Sequence, residues 1–428
     1  MVIRTEKLGD GVDFLSIRDP RFKTARLKAA IFLPLAEKTA AKYAILPDLL
    51  TRCCALYPDM MQFTRHLNRL YGATVAGGVS RHGEHQLLSL SVSCIDNRFC
   101  LNFEDVVEEA ARLLLSMLFC PHLDETGLFA AEDFEQEKRC LCERIAAEMN
   151  EKRVYARRQS DKLLANGSPY GIPVTGTAEA AAALTREAAT AAWKEMLKTA
   201  KFQFVYMAND DGERVSRLIE DAFAGQKRAV DFGKTDPTFV PLSVPRRKTE
   251  QMPLKQAKLV MGFRLKAHEP DEKAVATGRM LTALFGGGPQ SLLFRHVREE
   301  MSLCYYCHAV FDRHNGVLTV DSGVDPADTA RAEAAILHQL DRICRGDFSE
   351  DSFDSSRRSL IHHIRDYENL QSSSIGWYVA QSLTPRFLSP AEAIDRLEAV
   401  TREDVCRLAQ TVTLTSVYTL LPEGGDTE

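Results

Sequence analysis

The sequence predicts an α+β protein built from two similar domains. Strand-like and helix-like segments recur in a similar order in two stretches of about 200 residues each, as an ancient duplication leaves them. Periodicity stops between the two, where Gly225–Gln251 holds Pro237, Pro241, Pro245 and the basic run Arg246–Lys248. The bulk composition, 45% hydrophobic and 26% charged over 428 residues, is that of a chain able to bury cores in both stretches. The expected organisation is therefore 1–225, a linker at 226–250, and 251–428.

In chain order, Phe14–Ile17 and Arg26–Leu35 are apolar runs of strand length. Leu46, Leu49, Leu50 and Cys53 form one helical stripe, so a helix is expected over Tyr43–Cys53, with Pro47 tolerable only in a first turn. Met60–Tyr71 is a second helix, stopped by Gly72. Gln86–Cys94 alternates like a half-buried strand. Long helices are expected at Leu101–Leu118 and Phe129–Glu151, then a strand at Phe202–Met207 and a helix at Asp211–Ala224. After the linker come strand Ala257–Phe263, helix Glu272–Phe285, a glycine turn and helix Ser291–Glu300. A strand pair at Leu303–Phe311 and Gly316–Val324 follows, then helices at Ala327–Cys344, Ser349–Asn369 and Gly376–Thr384, and a last strand at Thr415–Leu420.

Charge and composition narrow the function. A net charge of −5 gives no basic footprint for nucleic acid. No window approaches the roughly 18 unbroken apolar residues of a membrane span, and the N-terminus has no apolar core of a secretory signal. Eleven cysteines without framework spacing fit a reducing, cytoplasmic setting. Arg81-His82-Gly83-Glu84-His85 looks like a metal motif but falls in or beside a strand. There His82 and Glu84 point one way and His85 the other, so the residues read as surface polar groups. Cys304 and Cys307 are a lone C-x-x-C with no second pair.

Three segments carry a family resemblance: ILPDLLTRCCALYPDMMQFTRHLNRLYGA from Ile45, NGSPYGIPVTGTAEAAAALT from Asn166, and GGGPQSLLFRHVREEMSLCYY from Gly286. In order and spacing they resemble the insulinase/pitrilysin-type zinc peptidases and their processing-peptidase relatives. The resemblance implies two domains, each a mainly antiparallel sheet flanked by helices. Active members carry H-x-x-E-H, whose two His share a helical face to grip zinc while Glu activates water. With Tyr57-Pro58 as anchor, those positions fall on Ala44, Pro47 and Asp48, and the later glutamate ligand falls on Glu143. Alanine offers no ligand atom, proline no base, and one aspartate does not replace two imidazoles. The resemblance is thus to a degenerate member, with no metal and no cofactor expected in this chain.

The second half keeps more of the pattern. Arg298 and Tyr305, seven residues apart, match the pair that reaches substrate and tetrahedral intermediate in active relatives, and both are suitable oxyanion or carbonyl donors. Gly286, Gly287 and Gly288 would let a substrate backbone approach. Against this, Arg298 could simply pair with Glu299 or Glu300, and Tyr305 could be a core aromatic.

The resemblance implies a non-catalytic subunit that pairs with an active zinc-bearing partner, or homodimerises in isolation, around a peptide substrate. Ala257–Phe263 is then the candidate edge strand for the peptide. It extends to the inactive peptidase-like proteins associated with elongation factor P 5-aminopentanol modification. The alternatives are a purely structural subunit without peptide binding, or a self-sufficient peptidase with an unrecognised site.

Overall fold

A computed structural model describes residues 2–101, 104–233 and 244–423. It contains two sheets. The first has the order β1-β2-β6-β3-β5-β4, with β1 (Val2–Gly9), β2 (Val12–Arg18), β3 (Thr24–Pro34), β4 (Thr74–His82), β5 (His85–Ile95) and β6 (Lys201–Ala208). The second has the order β7-β11-β8-β10-β9, with β7 (Arg246–Met252), β8 (Ala257–Arg264), β9 (Cys304–Asp312), β10 (Val317–Val324) and β11 (Thr413–Pro422).

The duplication expected from the sequence is explicit in the strand pairing. In the first sheet β2 is parallel to β6, and β6-β3-β5-β4 run antiparallel. In the second, β7 is parallel to β11, and β11-β8-β10-β9 run antiparallel. Strands β2 to β6 therefore repeat, one for one and in chain order, as β7 to β11, and β1 is an addition at one edge.

Burial follows the pairing. Central strands covered on both faces read as continuous apolar runs: every residue of β10 is buried, and so is β6 after its first residue. Phe202, Phe204 and Phe223 stack and cross over one another in the first core, with centroids 5.2–6.2 Å apart.

The chain forms two compact units that do not follow the sequence halves. The first is Met1–Ala146 with Ile172–Thr235 and Leu370–Ser382; the second is Ala147–Gly171 with Asp236–Asn369 and Leu383–Glu428. Each half thus gives a helical segment to the other half's unit. Lys152–Ala165 packs Ala156 against Val260, Tyr418 and Leu420, and its Tyr155 hydroxyl meets Glu250, which also accepts from Tyr418. Gln371 bonds the side chain and backbone of Thr24 at 2.6 and 2.7 Å in the first unit.

Several elements differ from the sequence expectation. Residues 234–243 of the expected linker lie outside the described residues. Its basic run is a strand, with Arg246, Arg247 and Lys248 in register with Ser416, Val417 and Tyr418. The helix expected at Tyr43–Cys53 is two helices, Glu37–Ala44 and Leu46–Arg52, meeting at Ile45. Pro47 lies in the first turn of the second, the position its missing N–H permits. The expected helix at Gly376–Thr384 runs instead over Gln371–Val379.

Candidate functional site

The positions at which the resemblance places a metal do not fit one. Ala44 ends the helix Glu37–Ala44 and is 1% exposed; Pro47 and Asp48 start the next helix. The hydrogen-bond ladder is interrupted at Ile45, whose backbone stays right-handed, so the misfit lies in the side chains: alanine offers no ligand atom and proline no base. The Asp48 carboxylate already has a cation, because Arg144 on the helix Ala131–Asn150 donates to it at 2.5 Å. Glu143, one residue before that arginine, is exposed. The set offers one carboxylate held by a guanidinium, one exposed carboxylate, and no nitrogen or sulfur donor.

The helix carrying Pro47 is pressed against β4. A Cβ on Gly77 would lie 2.6 Å from the Pro47 carbonyl oxygen, so only glycine allows that approach. The two-residue turn Gly83-Glu84 then joins β4 to β5 with His82 opposite His85, and Gly83 at φ +60° suits the first position of a type II′ turn. The expectation that this histidine segment is surface fails. His82 and His85 are 4% and 2% exposed, with His82 edge-on to Phe32 and His85 within 3.4 Å of the Gly233 carbonyl.

In the second unit, Leu293–Glu300 is π-helical, so residues four and five apart lie above one another. Arg298 stacks its guanidinium 4.5 Å over Phe294 and pairs loosely with Glu299 at 3.4 Å. Its charge also reaches Cys304 at the start of β9. A hydrogen bond from Cys307, opposed by burial and reinforced by Arg298, holds the Cys304 thiol below its ordinary value. The partner thiol of Cys307 is pushed up for the same hydrogen bond and by its own burial.

Tyr305 follows on a bulge. In the β9–β10 ladder Gly323 pairs with Tyr306 and Val324 with Cys304, so Tyr305 is the extra residue. The bulge brings Cys304 and Cys307 to the same buried side and turns Tyr305 outward, 66% exposed. The inward-turned aromatic of the pair is Tyr306, which is half-buried. Its hydroxyl donates to Asp321 at 3.2 Å, while Arg153 lies 4.4 Å over its ring and bonds Asp321 at 2.5 Å.

The three glycines part company. A Cβ on Gly286 would strike Ala309 and Leu293 at 2.8 Å, and one on Gly287 would strike Ala283 at 2.6 Å. Both serve packing. Gly288 alone faces open space.

One expectation is overturned outright. Ala257–Phe263 is not an edge strand: β8 is hydrogen-bonded on one side to β11 and on the other to β10. It has no free backbone for a peptide. The edges are β7 and β9, and β9 is the strand that carries Tyr305.

Sequence reasoning missed Asp321, Arg153 and Tyr306. The signal was present in β10, VLTVDSGV, where one carboxylate interrupts an otherwise apolar or small-residue strand. A buried charge needs a partner, and Arg153 supplies it from the helix Lys152–Ala165.

Two six- and five-stranded mixed sheets flanked by helices, with a metal position that holds no metal ligand set, define a class: a zinc-peptidase-like protein without its zinc site. Comparison with known proteins narrows it. Residues 183–360 match the sequence family described as "Peptidase M16 inactive domain". Over 406 residues, 94% of either chain, this one is 24% identical to a Bacillus subtilis (strain 168) protein named probable inactive metalloprotease YmfF. A conserved protein from Enterococcus faecalis V583 superposes with a TM-score of 0.91 at 24% identity, over 99% of this chain and all of that one. A peptidase M16 inactive domain from Pseudomonas fluorescens does so with a TM-score of 0.79 at 14% identity, over the whole of both chains. These likenesses, one over residues 183–360 and the other over nearly the whole chain, support an inactive member of the insulinase-type, or M16, peptidase family.

Proposed function

We propose that this chain is a non-catalytic subunit that pairs with an active, zinc-bearing peptidase of the same fold and helps hold its peptide substrate. The observation that carries the reading is Tyr305. A bulge on an edge strand turns its phenol to solvent, whereas the adjacent Tyr306 is committed to Asp321 and Arg153. Exposing a large aromatic beside unpaired strand backbone is a liability for a purely structural surface and an asset for binding an extended peptide.

In this reading the free edge of β9 supplies backbone hydrogen bonds to the peptide, and Gly288 leaves room for it. The Tyr305 hydroxyl and the Arg298 guanidinium donate to peptide carbonyls, including one that gains negative charge as the partner's zinc-activated water attacks. The zinc and the general base belong to the partner. The setting is the cytoplasm, and a connection to elongation factor P 5-aminopentanol modification is part of the same proposal, on resemblance alone.

The first test is native mass spectrometry of the protein purified gently from its own cells. A heterodimer with an H-x-x-E-H chain that carries its own zinc supports the pairing; a lone monomer or homodimer argues against it. Arg298→Ala and Tyr305→Phe in the reassembled complex then separate peptide holding from scaffolding. Unchanged peptide turnover in both variants would favour a structural subunit. Loss of the elongation factor P modification on gene deletion, read by intact-protein mass, tests the pathway link.

A further inference from the structure

Among the described residues one group of three metal-ligating side chains converges, and it includes none of the degenerate motif positions. Cys53 caps the helix Leu46–Arg52, His122 lies in the loop after the helix Val106–Phe119, and Asp133 is in the first turn of the helix Ala131–Asn150. Cys53 Sγ lies 3.6 Å from His122 Nδ1 and 3.3 Å from Asp133 Oδ2, and His122 Nδ1 lies 2.8 Å from the same oxygen.

Those three atoms nearly trace one face of a coordination tetrahedron. An ion bound to one thiolate, one imidazole and one carboxylate at ordinary zinc bond lengths sets the edges of that face at about 3.3–3.6 Å. The Cys53–His122 edge already matches, the Cys53–Asp133 edge has to open by about 0.2 Å and the His122–Asp133 edge by about 0.5 Å.

The surroundings suit an ion as well. Asp133 Oδ1 is held by Arg52 Nε at 2.7 Å, which leaves Oδ2 aimed at His122 and Cys53. Arg52 is in turn held by Glu137 at 2.9 Å. Thiolate and Asp133 balance a divalent charge while Arg52 and Glu137 balance each other. The imidazole is 30% exposed, so solvent has access to a fourth position. A mixed sulfur, nitrogen and oxygen set favours zinc and its neighbours over magnesium or calcium.

We propose that Cys53, His122 and Asp133 bind one divalent transition-metal ion of the zinc class, with water as fourth ligand. The ion ties a helix end, a loop and a second helix at one point of the first unit. It is separate from the zinc ascribed to a partner.

Without metal the cluster is a hydrogen-bonded one, with the thiol and the imidazole both donating to Asp133. Burial, and then the Asp133 charge, push the Cys53 thiol up to about 12. Binding must therefore release the thiol proton to solvent, while the imidazole proton moves from Nδ1 to Nε2. The charged and titratable groups facing the thiol are Arg52, Cys54, His122 and Asp133, with Glu137 behind Arg52. Release of one proton makes affinity climb about tenfold per pH unit while the thiol is protonated.

The test uses the full chain, stripped of metal and titrated with Co²⁺ while absorbance is read, then with Zn²⁺ as competitor. One Co²⁺ per chain is expected, with a thiolate-to-cobalt charge-transfer band and tetrahedral d–d bands that one equivalent of Zn²⁺ removes. Cys53→Ser should abolish the charge-transfer band. His122→Gln, at a partly exposed residue and so tolerated by the fold, should weaken binding at least about tenfold. Circular dichroism of both variants in chelator checks folding. Absence of a stoichiometric band overturns the proposal. So does a band that survives in folded Cys53→Ser, which assigns the ion to another cysteine, or affinity unchanged by His122→Gln.

Discussion

Arg144 holds the carboxylate of Asp48 at 2.5 Å, so a guanidinium supplies positive charge at a position to which the sequence resemblance assigns a zinc ligand. The pair joins the helix Leu46–Arg52 to the helix Ala131–Asn150 and is itself partly solvated, with the side chains 39% and 24% exposed. Its energetic contribution is correspondingly small, about 0–1 kcal/mol. Restoring the motif by substitution should therefore fail for steric reasons. Ala44→His alone forces an imidazole into a site where a methyl group is 1% exposed, at a cost of about 1–3 kcal/mol. Urea denaturation of Ala44→His, and of the triple variant with Pro47→Glu and Asp48→His, should show lost stability. Zinc-dependent peptide cleavage by the isolated triple variant would contradict this.

Tyr305 and Tyr306 should respond oppositely to loss of a hydroxyl. Tyr305→Phe should leave stability within about 0.5 kcal/mol, because the phenol faces solvent. Tyr306→Phe removes a donor from buried Asp321 and should cost about 1 kcal/mol or more. Asp321→Ala leaves Arg153 without its carboxylate and should cost more still, about 2–3 kcal/mol after allowance for the half-exposed guanidinium. Chemical denaturation of the three variants gives the ranking, and equal losses for the two tyrosines would remove the bulge from the functional argument.

Gly77 and Gly78 are neighbours with different freedom. Gly77→Ala places a methyl 2.6 Å from the Pro47 carbonyl and should destabilise by about 1–3 kcal/mol. Gly78→Ala meets Ser89 Oγ at an ordinary 3.5 Å, on an edge strand, and should be tolerated. Thermal melts of the pair read this difference directly. The same comparison applies to Gly286→Ala against Gly288→Ala, and only the second leaves room to ask about peptide binding.

Acid should weaken the first unit through Asp133. Burial raises its pKa, but hydrogen bonds from His122, Arg52 and Cys53 outweigh it and hold the carboxyl below the usual range. A depressed native value means that the stabilisation is fully present above the unfolded carboxyl value, near about 3.9, and disappears as pH falls through the native one. Asp133→Asn should therefore lower stability at pH 7 and flatten its decline between about pH 5 and 2. Parallel slopes for variant and parent over that range would show that Asp133 is not the group being titrated.

Local pattern revealed the strands and most helices, because apolar alternation and the stripe through Leu46, Leu49 and Leu50 are properties of neighbouring residues. It required a first turn for Pro47, a condition met only because the expected helix divides at Ile45. Strand order was another matter. Ala257–Phe263 reads as a strand from its own residues, yet whether it is central or at an edge depends on β10 and β11, some 60 and 160 residues away in sequence. The bulge at Tyr305 was hidden for the same reason, since it exists only relative to Gly323 and Val324. His82 and His85 were expected in or beside a strand, but their burial comes from Phe32 and the chain near Gly233, which no local pattern announces. Cys53, His122 and Asp133 share no spacing rule at all; three elements deliver them to one point.

The exchange of helical segments between the two halves has a consequence for how such a chain can be divided. A fragment that starts after residue 225 would lack Lys152–Ala165, and with it the cover over Val260, Tyr418 and Leu420 and the hydroxyl that bonds Glu250. A fragment ending at 225 would lack Gln371, the residue that fastens the start of β3. Neither half is an autonomous cloning unit, and mixing each with the other's full-length relative would leave two copies of one helix competing for one berth. Splitting the gene at the centre of the sequence therefore separates residues that fold together.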